Sequence, residues 1–152
     1  MLGLMQGWPL TVDRILEHAK SWHGDREVVS RSVEGPIVRT SYARIFERAK
    51  RLSNALLAMG VEPGDRVATL AWNSGRHMEA WYGIMGIGAV CHTLNPRLFA
   101  EQLCYIINHA EDKVIFTDLT FLPILMENRA NMPTVKHVVV LTDEEHMSGV
   151  DL

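Results

Sequence analysis

The sequence predicts an α/β fold: a mostly parallel sheet with helices on both faces, doubly wound, plus a short antiparallel edge hairpin. Three observations carry the prediction. Short apolar runs such as "VATLAW", "AVCHTL", "KVIFTD" and "HVVVLT" recur along the chain, and strands apolar on both faces belong to parallel sheets. Between them lie segments whose apolar residues return every three or four positions, as on a helix with one buried side. Strands and helices alternating at this length build βαβ units with right-handed crossovers.

From Thr11 onward, Val12, Ile15, Leu16 and Ala19 recur at helical spacing, and Gly24 supplies a stop. "EVVSRSV" (27–33) and "IVRTSY" (37–42) flank Glu34-Gly35-Pro36 and predict the hairpin. Thr40 or Ser41 can cap the next helix, where Tyr42, Ile45, Ala49, Leu52, Leu56 and Met59 share one side before Gly60 closes it. A Pro-Gly-Asp turn then leads into the strand Val67 to Trp72, and Asn73 or Ser74 caps a helix that runs through Met78, Trp81, Tyr82 and Met85. The strand "AVCHTL", a helix from Phe99 to Ala110, "KVIFTD", a helix from Leu122 to Arg129 and "HVVVLT" complete the alternation. The expected organisation is an apolar arm over 1–10, an α/β unit over 11–142 and a polar linker or cut end over 143–152.

A chain of 152 residues, 47% hydrophobic and 22% charged, is long enough for one domain with a substantial core. Its net charge of −3 and lack of a Lys/Arg cluster exclude the phosphate-neutralising surface that nucleic acid requires. Cys91 and Cys104 have neither disulfide-framework nor zinc spacing, so a reducing cytoplasm is expected. The start "MLGLMQGWPL" lacks the basic region and cleavage site of a secretory signal. The uncharged stretch from Ala80 to Pro96 is too short and too polar to span a bilayer.

Candidate chemistry concentrates in few places. "GIMGIGAV" places Gly83, Gly86 and Gly88 at the end of a helix, the reverse of a dinucleotide fingerprint, and reads as close packing plus a cap. No Walker loop occurs, and no His-x-x-x-His pair points to a metal. His92, at a strand end, reads as a hydrogen-bonded structural histidine, because a general base needs a placed partner. Trp22, Trp72 and Trp81 fall at apolar positions and are assigned to the core. Arg97 follows the strand end in "HTLNPRL", where a guanidinium could meet phosphate through paired hydrogen bonds. The residues alone stop at a ligand edge near His92 to Arg97, with no catalytic residue and no metal ligand assigned.

The segments "TSYARIFERAKRLSNALLAMGVEPGDRVATLAWNS", "MGIGAVCHTLNPRL" and "YIINHAEDKVIFTD", in that order, resemble the amino-terminal part of the acyl-adenylate-forming enzymes. That superfamily holds the acyl- and aryl-CoA synthetases, luciferases and peptide-synthetase adenylation domains. The wording "HTLNPRL" is most similar to medium- and long-chain fatty acyl-CoA synthetases. The resemblance implies an ATP-dependent ligase in two half-reactions, acyl-adenylate formation followed by thioester formation, using ATP, Mg²⁺ and coenzyme A on a fatty or other carboxylic acid. It implies that Arg97 lies near the nucleotide phosphate of coenzyme A. The family's Ser/Thr/Gly-rich phosphate loop ending in Pro-Lys-Gly is absent from residues 1–152. The fragment alone is therefore expected to bind none of these cofactors and to be inactive. Two other readings stand beside it: a free-standing flavodoxin-like binding domain, and a dimerisation module whose homodimer forms through the arm 1–10.

Overall fold

The structure is a computed structural model that describes residues 7–148. Helix α1 (Asp13–His23) leads into strands β1 (Glu27–Arg31) and β2 (Ile37–Ser41), which pair antiparallel with Val29 opposite Arg39. Gly35 in the connecting turn has φ +117°, a conformation that L side chains resist. The hairpin pairs as a two-stranded sheet of its own, separate from the main sheet. Helix α2 (Tyr42–Ala58) begins at Ser41, whose hydroxyl accepts the Arg44 N–H.

The main sheet contains β3 (Arg66–Leu70), β4 (Val90–Thr93), β5 (Val114–Thr117) and β6 (His137–Val140), all parallel, in the order β4-β3-β5-β6. Helices α3 (Gly75–Met85), α4 (Ala100–Ala110) and α5 (Leu122–Glu127) connect them. A last turn of helix, α6 (Glu144–Met147), lies where the sequence suggests only a polar linker, because Asp143 caps it by accepting the His146 N–H.

Strand alternation splits the core in two. Val67, Val114 and Phe116 face Leu56 of α2 and Ala80 and Ile84 of α3. Ala68, Leu70 and Ile115 face the other way, toward Leu103 and Ile107 of α4 and Leu125 of α5. Both sides of β3 and β5 are covered, as their uninterrupted apolar sequences require. A third cluster of Leu16, Ile45 and Ala49 seats α1 on α2. Fully burying an aliphatic side chain of this size is worth about 1.5–3 kcal/mol, so the two layers supply most of the driving force.

The glycine motif is resolved as packing. At Gly83 a Cβ would lie 2.6 Å from Leu52 Cδ2 and 2.9 Å from the Ala49 carbonyl oxygen, so α2 and α3 cross there at backbone contact. Gly88, with φ +77°, reverses the chain after α3. Ahead of β3, Asp65 accepts the Glu62 N–H at 2.8 Å and pairs with Lys113 at 2.7 Å, which fixes the Pro-Gly-Asp turn against the start of β5. No helix among the described residues is long and apolar enough to cross a membrane.

The three tryptophans assigned to the core are not in it. Trp22, Trp72 and Trp81 are all exposed. Trp72 lies beyond the end of β3, whereas Trp22 in α1 and Trp81 in α3 sit on helix surfaces that the described residues leave open.

Candidate functional site

The chain passes from β3 to β4 on one side and then crosses to β5 on the other. The carboxyl ends of β3 and β5 therefore flank a topological switch point, where open α/β sheets present a crevice to ligands. The residues just past these ends build the candidate site.

At its centre lies Trp72. Its N–H donates to Asp118 Oδ2 at 2.6 Å, and its carbonyl accepts from His77 Nδ1 at 3.1 Å. His77 Nε2 meets the Thr69 hydroxyl at 2.9 Å. His77, Asp118 and Thr69 are all buried. Burial pushes the His77 imidazole below its ordinary value, against the pull of the Trp72 carbonyl and the Asp118 charge. Burial pushes the Asp118 carboxyl above the usual carboxylate range, partly offset by the Trp72 N–H.

Beside this centre the hairpin is tied to the sheet edge. Arg76, in the first turn of α3, donates to Glu34 at 2.7 Å and to the Leu141 carbonyl at 3.1 Å, and Thr142 donates its hydroxyl to Glu34 at 2.5 Å. Burial alone would raise the Glu34 carboxyl. The Thr142 hydroxyl, its own backbone N–H and the Arg76 guanidinium overcome that and bring it down to about 2. A polar cleft of about 470 Å³ lies here, lined by Ser30, Arg44, Arg48, Arg76, Asp118 and Asp143 among others.

Of the residues singled out from sequence, Arg97 follows the carboxyl end of β4, whereas His92 lies within β4, opposite Ala68 of β3. His92 Nδ1 stands 2.7 Å from Oδ2 of Asp112, a fully buried carboxylate at the entry to β5. Burial raises the Asp112 carboxyl and the His92 hydrogen bond lowers it, with burial the larger effect. The hydrogen bond expected of His92 is thereby given its partner, and the pair ties the edge strand to the end of α4. Arg97 is exposed, and its guanidinium has no ion-pair partner among the described residues. Its turn is nevertheless ordered, since the Arg97 N–H donates to Asn95 Oδ1 at 3.0 Å and the Leu98 N–H to the Asn95 carbonyl at 3.2 Å. An exposed guanidinium on a fixed turn is suited to a phosphate.

Sequence reasoning missed His77 and Asp118. Their partners are a backbone unit and a hydroxyl whose positions are set by β3 and β5 coming together, and no spacing announces that. The strand-end position of Asp118 after "VIFT" was the one available signal.

No group of three or more His, Cys, Asp or Glu residues that could hold a metal occurs among the described residues. Cys91 and Cys104 are free, and burial pushes the Cys91 thiol up to about 11, so it is not a reactive thiolate near neutrality.

The chain is 49% identical over 141 residues to a medium-chain fatty acid–CoA ligase of Ectopseudomonas oleovorans, a match covering 93% of this chain and 26% of that one. It is 48% identical over 134 residues to a long-chain fatty acid–CoA ligase of Thermus thermophilus, covering 88% and 25%. It is 48% identical over 141 residues to a 3-methylmercaptopropionyl-CoA ligase of Ruegeria lacuscaerulensis, again covering 93% and 26%. The chain thus spans about a quarter of the length of the curated relatives it matches. Among solved structures, a Mycobacterium tuberculosis fatty acyl CoA synthetase superposes with a TM-score of 0.74 at 27% identity over 86% of this chain and 26% of that one. An anthranilate CoA ligase, TM-score 0.76 at 24% identity over 90% and 26%, shares the fold. The model of the family described as AMP-binding enzyme matches residues 16–151, nearly the whole chain, and this protein belongs to that family.

Proposed function

We propose that this chain is the amino-terminal part of an ATP-dependent ligase that joins a fatty or other carboxylic acid to coenzyme A, by way of an acyl-adenylate. The observation that carries the reading is identity near one half, sustained over 93% of the chain, to ligases named for just such reactions. The acids for which these relatives are named run from 3-methylmercaptopropionate to medium-chain fatty acids.

Within this reading Arg97 holds a nucleotide phosphate of coenzyme A. Its guanidinium is exposed, without an ion-pair partner among the described residues, on a turn fixed through Asn95. A planar fork of donors pairs with phosphate oxygens bidentately. In such a ligase ATP would supply the phosphorus that the carboxylate attacks, and magnesium would offset the charge of the departing pyrophosphate. The described residues offer no acidic cluster for that cation, and no phosphate loop occurs in the sequence. What this chain contributes is fold, one phosphate contact and the switch-point edge. The cytoplasm is the compartment we assign, on the free cysteines. The arm supports a homodimer: residues 1–6 lie outside the described residues, while Trp8 and Leu10 are exposed. Loss of a sedimenting dimer on deleting residues 1–10 is the expected result.

The function is tested in the complete ligase. Acid-dependent exchange of pyrophosphate into ATP is expected there and not from the isolated 152-residue chain. Arg97→Ala is expected to raise KM for coenzyme A roughly tenfold or more, the worth of one charge-assisted contact, and to leave acyl-adenylate formation nearly unchanged. Equal loss in both half-reactions would assign Arg97 to structure instead.

A further inference from the structure

A two-stranded hairpin is marginal by itself in water, so what fixes it lies in its contacts with the rest of the fold. Strands β1 and β2 pair only with each other, in a sheet apart from that of β3 to β6. The root of the hairpin is anchored by apolar packing: Val28 lies against the Leu16, Ile45 and Ala49 cluster, and β2 runs straight into α2. Further out the connections are hydrogen bonds. The Ser30 hydroxyl accepts the Gly75 N–H at 3.1 Å, and the turn closes on itself where the Ser32 N–H donates to the Pro36 carbonyl at 2.9 Å.

Glu34 breaks the pattern of this turn. Arg31, Gly35, Pro36 and Ile37 around it are exposed, yet its side chain is only 3% exposed. Arg76 of α3 and Thr142 past β6 both donate to its Oε1, while its Oε2 is buried with no hydrogen-bond partner among the described residues. A carboxylate seated in this way is held by its charge-assisted bonds, and neutralising it removes most of what keeps it inside. Ser30, Ser32 and Val33 of the hairpin line the polar cleft of about 470 Å³ together with Arg76, Asp118 and Thr142, so freeing the tip removes part of the cleft wall.

We propose that the outer hairpin, residues 30–37, is a strap across this cleft, latched by Glu34 on Arg76 and Thr142, and that it opens ahead of the sheet when the Glu34 carboxylate is neutralised. The inference does not depend on the ligase reading. The charged groups around the latch are Arg76, Asp118 past β5, Asp143, which shares Arg76 at 3.5 Å, and His146 of α6. Glu34→Gln keeps all four and removes only the charge of the latch. Glu34 is held at about 2 against an ordinary 4.5, so the latch is complete above pH 4.5 and weakens as pH falls toward 2.

The test is hydrogen exchange in the full-length protein, read by mass spectrometry on peptides from 27–41 and from β3 and β5, with rates corrected for the intrinsic effect of pH. Once unlatched, strands of five residues fray and their amides exchange. The hairpin peptides should exchange faster than those of β3 and β5 in the wild type. Glu34→Gln should speed them about tenfold at pH 7, and Thr142→Val, which removes one donor and keeps the charge, severalfold. Between pH 5.5 and 3.5 the wild-type hairpin rate should rise about tenfold more than that of Glu34→Gln. Ile107→Val, one methylene lost from the opposite core layer, should speed β3 and β5 severalfold and leave the hairpin unmoved. Hairpin and strands accelerated together by Ile107→Val would show that the hairpin opens only with the whole domain, which overturns the strap. A hairpin rate unmoved by Glu34→Gln or by Thr142→Val, or a pH response equal in Glu34→Gln and wild type, overturns the latch.

Discussion

Gly83 is the residue where packing is least forgiving. Its missing Cβ lets the Ala49 carbonyl and Leu52 of α2 approach α3, and the Ser53 hydroxyl donates to the Gly83 carbonyl at 2.7 Å across the same contact. Leu52 can shift, but a backbone oxygen 2.9 Å from the added carbon cannot do so without moving a helix. Gly83→Ala is therefore expected to lower stability by about 1–3 kcal/mol, read as a lower urea midpoint at unchanged slope. The sequence already favoured packing over a nucleotide fingerprint here, because the glycines close a helix instead of opening one. His92 was legible only in part: its strand-end place could be read, whereas Asp112, twenty residues on and fully buried, could not.

Helix starts differ from element to element, and the differences make a second prediction. Ser74 accepts the His77 N–H at 3.2 Å, so α3 is capped by a side chain. Helix α4 begins at Phe99, which has extended backbone but no side-chain acceptor and is 79% exposed. Ser74→Ala should cost about 1 kcal/mol, and Phe99→Ser should gain about 0.5–1 kcal/mol, since one removes a cap and the other supplies it. Thermal melts of the two variants should move in opposite directions. A drop for Phe99→Ser would show that the ring has a partner that the described residues do not include. The elements themselves were the most readable level, because periods of two and 3.6 residues follow from backbone geometry. The exception is α6, a single turn too short for any period to show.

Across the whole molecule, acid stability depends on the junction of hairpin, α3 and β6. Glu34 is held at about 2 against an ordinary 4.5, so its contribution is complete above pH 4.5 and is lost as pH falls toward 2. The depressed His77 acts in the same direction, its contribution present above an ordinary 6.5 and declining below it. Asp112 and Asp118, both raised by burial, oppose this, since protonation relieves their desolvation. Glu34→Gln should be less stable than wild type at pH 7, and the gap should shrink between pH 4.5 and 2 in urea titrations. A gap independent of pH would show that the Arg76 ion pair contributes nothing through charge. The sequence by itself determined the fold class, the order of its elements and the family, because apolar periodicity, turn residues and motif order are all local to the chain. Only the tertiary structure decided that Trp72 lies in the open, that His77 and Asp118 hold it and that Glu34 meets Arg76. Those contacts join residues up to 46 positions apart, and the long-range ones exist only once the sheet and the hairpin have come together.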